Sequence, residues 1–380
     1  MSEVRVNNLS NENNTGGPTI SGITTYSGRH FFVPPQGDTA SRPSDCEPGS
    51  LRFNTDTAHL EYFRGNTIGW TEIEAELTAP LGTSATGVGH RGIVVGGGAP
   101  GGNTHMDFYN HSTLGSSADF GDYYQAERNA GNGQAGNSTR MMILCGDLNP
   151  QGGPIHGNIA SITIASTGYS SDSSNDMTQA RRLNAQFSNS TRACAAGGYE
   201  PTTNIIDFTT ISSLSAGVDF GDLSSAAYFQ AGSSSSTRGV IIKTSSTNTI
   251  EFVTISTTGD AIDFGDTQVV GQSLGVANNS TRIVIAEGGS PSLTNTISFI
   301  TTATTGNAID FGDIVGASRR DGVGTSSPTR GVFSCGYDGS NHHDEQDAVE
   351  LATTGNSVNF GDTVNGNRFR LSGGSSGHGG

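Results

Sequence analysis

Lysine is all but missing from this chain of 380 residues. Lys243 is the only one, so 18 of the 19 basic residues are arginine, against 35 acidic residues. A net charge of −16 with so few cations excludes a phosphate-backbone binder, which needs dense positive charge. It argues equally against an anionic membrane surface. Tryptophan occurs once, at Trp70. Cys46, Cys145, Cys194 and Cys335 form no CxxC pair and no metal spacing, which predicts free, mostly buried thiols in a chain folded in a reducing cytoplasm. No run approaches the ~20 apolar residues of a membrane span. The opening MSEVRVNNLSNENN has no apolar segment, so no secretory signal is expected there.

Glycine (55 residues) and abundant Ser, Thr and Asn fill the space. These residues favour strands, turns and caps over long helices. Low charge and many β-branched side chains argue against disorder. The decisive feature is internal repetition. DFGD occurs at Asp119–Asp122, Asp219–Asp222, Asp263–Asp266 and Asp310–Asp313, and as NFGD at Asn359–Asp362. A degenerate copy, SDSSNDM, spans Ser171–Met177. Between these, Arg91, Arg140, Arg192, Arg238, Arg282 and Arg330 each precede a short, mostly apolar run. Several are introduced by NSTR or SPTR, and a segment rich in Ile, Phe, Val and Thr follows, as in NTIEFVTI.

The chain therefore holds six repeats of about 48 residues, each reading as four short strands, the period of a β-propeller blade. The predicted fold is all-β: residues 81–380 as a propeller of six blades, with seven the alternative, behind a small β-meander within residues 1–80. After the last repeat, NRFRLSGGSSGHGG is expected to return beside the Arg91 strand and close the ring. The repeats resemble the kelch type, which has an arginine before an apolar strand and a Gly-Gly pair at its end. The usual repeat tryptophan is absent, and Phe120, Phe220, Phe264, Phe311 and Phe360 are expected to pack in its place.

In the N-terminal region, GSLRFNTDTAHLEYFRGNTIGWTEI (Gly49–Ile73) alternates across Leu51 and Phe53, turns, and alternates again across Leu60 and Tyr62 before Trp70. That is a β-meander too small to bury much alone. This segment resembles a motif of bacteriophage fibre and other virion structural proteins. YSGRHFFVPP, within Ile20–Pro35, resembles a segment of structural proteins from cyanophage-type phages, as does the TTGNAIDFGD repeat. The resemblance implies a virion protein. Residues 1–80 would dock on other virion proteins, several copies together, and the propeller would contact a host surface glycan or protein. A capsid decoration or tail adaptor, assembled in the host cytoplasm like the first, is the alternative.

No HExxH or P-loop motif is present. No enzyme activity, cofactor, metal or nucleic-acid partner is expected. A glycan-acting enzyme would need two carboxylates about 5–10 Å apart in a cleft. GGGAPGG (Gly96–Gly102) reads as a hairpin loop, and His342, His343, Asp344 and Glu345 as a solvated loop. Asp122, Asp222, Asp266, Asp313 and Asp362 read as scaffold carboxylates bonding nearby backbone N–H groups behind a conformationally special glycine. The six repeat arginines read as struts between blades, paired with a repeat aspartate or with carbonyls. Recognition is expected on the irregular loops Gly96–Thr104, Asp147–Asn158, Tyr169–Arg182 and Asp338–Asp347, with Tyr169, Tyr199, Tyr337 and Asn341 as contact residues.

Overall fold

Short apolar runs punctuated by Gly, Asn and Ser fold as strands and tight turns throughout, with no helix among the described residues. The computed structural model describes residues 34–57, 59–73, 91–98, 103–128, 131–148, 153–243, 247–272, 275–289 and 292–377. The segments 20–33, 74–90 and 99–102 lie outside them. The chain divides into two units, Met1–Leu77 and Thr78–Gly380.

In the first unit, Gln36–Gly37 pairs parallel with Leu51–Asn54. His59–Phe63 and Trp70–Ile73 continue the sheet antiparallel. The period-two pattern is present, but the polar side is the one buried. Glu61 is enclosed by Arg42 (2.6 Å), Arg52 (3.4 Å) and Asn54 (3.3 Å). Leu51 (42%) and Leu60 (38%) are exposed.

The second unit is built of repeated antiparallel meanders. In the Arg192 repeat the four strands are Ala185–Ser188, Arg192–Ala196, Thr203–Thr210 and Val218–Ala227. The same plan recurs over Ala231–Asp266, Gly275–Asp313 and Val323–Asp362. The Arg140 repeat has a reduced first strand, Asn132–Gly133. For the Arg91 repeat that place is taken from the far end of the chain: Ser372–Ser375 pairs antiparallel with Arg91–Val95.

Each recurring motif has a local cause. In NSTR, Asn189 Oδ1 accepts from the Thr191 N–H (2.9 Å) and the Arg192 N–H (2.8 Å), an Asx turn joining first and second strands. In DFGD, Ile206 pairs with Gly221 while Asp207 pairs with Asp219. Phe220 is thus the extra residue of a β-bulge, and the bend turns its ring inward. That ring meets Phe208 edge-on at 6.0 Å. Phe120, Phe264, Phe311 and Phe360 are buried at the same position, so phenylalanine fills the aromatic position of each repeat.

The core lies between meanders rather than within one. An apolar cluster joins each repeat to the next, for example Phe187, Ile206 and Phe220 with Ile241, Val253 and Ile255. The last repeat joins the first through Val332, Ala348 and Phe360 against Val94 and Tyr109. The six first strands converge on one another. An added Cβ on Gly324 would lie 2.1 Å from the Val276 carbonyl oxygen, so only glycine permits that approach. Gln134 ties the convergence together. Its amide nitrogen donates to Ser326 Oγ (2.8 Å) and Asn278 Oδ1 (3.3 Å), and its oxygen accepts from Ser375 Oγ (3.1 Å).

Candidate binding site where the first strands converge

The repeat arginines hold neighbouring repeats together. Each donates from Nη1 to a carbonyl of the following repeat: Arg91 to Ile164 (2.8 Å), Arg140 to Ile211 (2.8 Å), Arg192 to Ile255 (2.8 Å), Arg238 to Thr302 (2.9 Å) and Arg282 to Ala352 (2.8 Å). Arg330 completes the cycle on His111 of the first repeat (2.7 Å). Arg91, Arg192, Arg238 and Arg282 also lie over Phe108, Phe208, Phe252 and Phe299 at 4.3–4.7 Å. The partner is thus a carbonyl plus an aromatic face, not a repeat aspartate.

The repeat aspartates correct an expectation. Among the described residues their carboxylates accept no hydrogen bond from a neighbouring backbone N–H. Instead the backbone N–H of Asp222, Asp266 and Asp313 donates, at 3.0 Å each, to Asp260, Asn307 and Asn356 on the turn of the next repeat. Asp362 does the same to Ser116 Oγ (3.2 Å), and Asp122 Oδ1 accepts from Thr104 Oγ1 (2.8 Å). The preceding glycine explains the geometry. Gly265 has φ +146°, and a Cβ there would sit 2.5 Å from Gly306.

The predicted contact residues do not form one surface. Tyr169 is 78% exposed on the turn that meets the Phe120 strand end, at the same end of the meanders as the repeat arginines. Tyr199 and Tyr337 lie at the opposite end, where second strands finish. Tyr199 packs on Tyr228 (4.9 Å) and Arg182 (5.3 Å). Tyr337 donates to the Gly339 carbonyl (2.7 Å), and Asn341 is held in the same turn by Asp338. Of the supposed loops, Gly96–Thr104 is strand only at Asn103 and Thr104, and parts of the other three lie within the strands Ile155–Thr163, Ser171–Asp176 and His342–Glu350. The histidine cluster lies on that last strand, where His343 is clamped between Glu345 (2.7 Å) and Asp338 (2.9 Å). Hydrogen bonds from Asn341, His343 and Ser340 hold the Asp338 carboxyl well below the usual range. Among the described residues no group of three His, Cys, Asp or Glu is placed to hold a metal.

What the residues do bring together is a small cavity, open at one side, where the first strands begin. Leu183, Phe229, Asp321 and Arg370 line it. Each stands two residues ahead of a first strand, and each has left-handed backbone, with φ of 56°, 53°, 57° and 57° in that order. Left-handed backbone at a non-glycine residue is strained, and such strain collects at ligand sites. Arg370 Nε reaches Asp321 Oδ2 at 3.3 Å, and its guanidinium lies 4.9 Å over the Phe229 ring. Gln230 is 1% exposed, and neither its amide oxygen nor its nitrogen has a hydrogen-bond partner among the described residues. Asn132 Oδ1, on the same wall, is also unpartnered among them.

Behind this mouth stand three fully buried cations that the sequence patterns did not single out. Arg181 pairs with Asp207, Arg319 with Asp347 (2.6 Å) and Arg368 with Asp107. Each lies two residues before a cavity-lining residue. The visible signal was ARRLN, SRRDG and NRFRL ahead of the first strands that begin at Ala185, Val323 and Ser372.

No protein-family model and no curated protein matches the chain.

Proposed function

We propose that this chain is a non-catalytic display and binding protein. In this reading residues 81–380 are a six-bladed, kelch-like propeller, and residues 1–80 anchor it on a larger assembly, a virion, for host-surface attachment. The observation that carries it is the cyclic closure. The Arg330 to His111 contact repeats the contact that joins every other pair of repeats. A closed ring of meanders holds its end faces in fixed register and leaves only short outer edges. The exposed Leu51 and Leu60 on one face of the N-terminal meander support docking on another protein. The virion part rests on the sequence resemblance.

Two measurements test the proposal. Mass spectrometry of purified particles is expected to find the chain, and absence from them removes the virion reading. Labelled full-length protein is expected to bind susceptible cells and to compete with particle adsorption. Particles that lack the chain yet adsorb normally would leave a decoration or adaptor role instead.

A further inference from the structure

We infer that the hairpin joining Arg330–Tyr337 to His342–Glu350 is a pH-gated latch, shut while the His343 ring is positively charged and released when that ring loses a proton. The inference goes beyond the attachment reading and does not depend on it. In the Arg238 repeat the corresponding strands, Arg238–Ile242 and Thr249–Thr254, have 5 and 6 residues. In the last repeat they have 8 and 9. The extension pairs Gly336 with His343 and Tyr337 with His342 beyond a bulge. Its turn carries Tyr337 and Asn341, two of the expected contact residues.

The geometry around the ring carries the inference. His343 Nδ1 lies 2.7 Å from Glu345 Oε2, and Nε2 lies 2.9 Å from Asp338 Oδ2. An ionised carboxylate only accepts, so both ring nitrogens must donate. The ring that fits this place is the imidazolium. A neutral ring has one N–H, and its bare nitrogen would face a carboxylate oxygen across one of these short gaps. The His343 side chain is 14% exposed, and partly buried pairs are screened less than exposed ones.

Both partners are themselves held as anions. Hydrogen bonds from Asn341, His343 and Ser340 keep the Asp338 carboxyl well below the usual range. Glu345 Oε2 also accepts from Arg319 Nη1 at 2.8 Å, and Arg319 reaches Asp347 at 2.6 Å. Among the described residues these are the charged groups that face the ring. Arg368 approaches through its backbone, donating its N–H to the His343 carbonyl (3.0 Å), while its guanidinium is engaged by Asp107. His342 stacks on Phe369 at 4.4 Å, and Asp344, next in the strand, points to the other face. Asp338 is the fixed point of the turn, since its Oδ1 accepts from the N–H groups of Ser340 (2.7 Å) and Asn341 (2.5 Å). Whichever nitrogen gives up its proton, His343 ceases to bridge Asp338 to Glu345. The turn is then left with its local bonds alone.

Two readouts on the full chain test this between about pH 5 and 8, where histidines change charge. NMR of protein labelled with ¹⁵N-histidine, compared with His343→Gln, identifies the His343 ring and reads its charge. Hydrogen exchange by mass spectrometry reads the turn on a peptide spanning 337–344, and comparison with the variant at each pH cancels the intrinsic rate. At the acid end the ring is expected to be an imidazolium. The parent turn should there exchange about tenfold more slowly than the turn of His343→Gln, the effect of one charge-assisted hydrogen bond. That difference should vanish with the midpoint of the ring titration. His343→Arg stays charged throughout, and its turn is expected to remain protected at every pH, which separates charge from damage caused by the glutamine. A ring neutral at the acid end, protection that ignores the ring titration, equal exchange in parent and His343→Gln at every pH, or protection lost with rising pH in His343→Arg would overturn the inference.

Discussion

Arg181, Arg319 and Arg368 are the largest fully buried side chains among the described residues, and their charge is tolerable only because each meets a carboxylate on the third strand of its meander. Arg181 has Asp207 and the Ala195 carbonyl (3.1 Å). Removing one member strands the other. Asp207→Ala is therefore expected to cost about 3–5 kcal/mol in urea unfolding. The double change Arg181→Met with Asp207→Leu should cost markedly less, and equal losses would show that the pair is not the cause. Glu287 is the opposite case, a buried carboxyl with no ion-pair partner among the described residues and with Oε2 unpartnered. Burial pushes its pKa up, against hydrogen bonds from Ser298, Gln268 and Val269 that lower it. A raised carboxyl binds its proton more tightly in the folded state, so its contribution falls as pH rises from its ordinary value of 4.5 through the folded one. Glu287→Gln is expected to remove that slope and to stabilise the protein by about 1 kcal/mol at neutral pH. The two proteins should converge below pH ~4. Parallel stability curves across this range would contradict the assignment.

At the scale of the strand and turn, DFGD is one device with two demands. The bulge turns phenylalanine into the core, and the glycine lets the strand touch the next repeat's turn. Gly265 has both a left-handed φ and a blocked Cβ position, whereas Gly306 has φ +154° with nothing near its Cβ position. Gly306→Ala therefore meets backbone strain alone, about 1–3 kcal/mol. Gly265→Ala adds a backbone clash and is expected to cost more, read as the larger drop in urea midpoint. A reversed order would mean that the inter-repeat contact is loose.

For the whole molecule, the Ser372–Ser375 strand decides closure. It completes the Arg91 sheet, and Tyr109 of that repeat reaches Thr325 of the last one (2.5 Å). Ending the chain after Arg370 would leave Arg91–Val95 with an open edge over buried Ile93 and Val94, a template for edge-to-edge association. The truncated protein is expected to lose its cooperative thermal transition by circular dichroism and to run as aggregates in size exclusion. A monomer with an unchanged melt would show that the remaining repeats are self-sufficient.

Much of this architecture was legible in the residues because its signals are local and repeated. The NST turn and the DFGD bulge are local devices, and the repeat arginine recurs with them, so their recurrence every ~48 residues marks the strands before any contact is known. The return of the C-terminal segment was legible for the same reason, as the missing piece of a repeat. The candidate site was not. Leu183, Phe229, Asp321 and Arg370 share a position two residues ahead of a first strand but no residue type, so no repeated letter marks them. The sense of the N-terminal sheet was hidden too: alternation places Leu51 and Leu60 on one face but does not say which face turns inward. Strand order along the chain follows from side-chain period and turn chemistry, which are properties of neighbours. The partner of Arg330, the clamp around Glu61 and the cavity beside Gln230 exist only once distant segments converge, and there burial and charge pairing settle what sequence proximity leaves free.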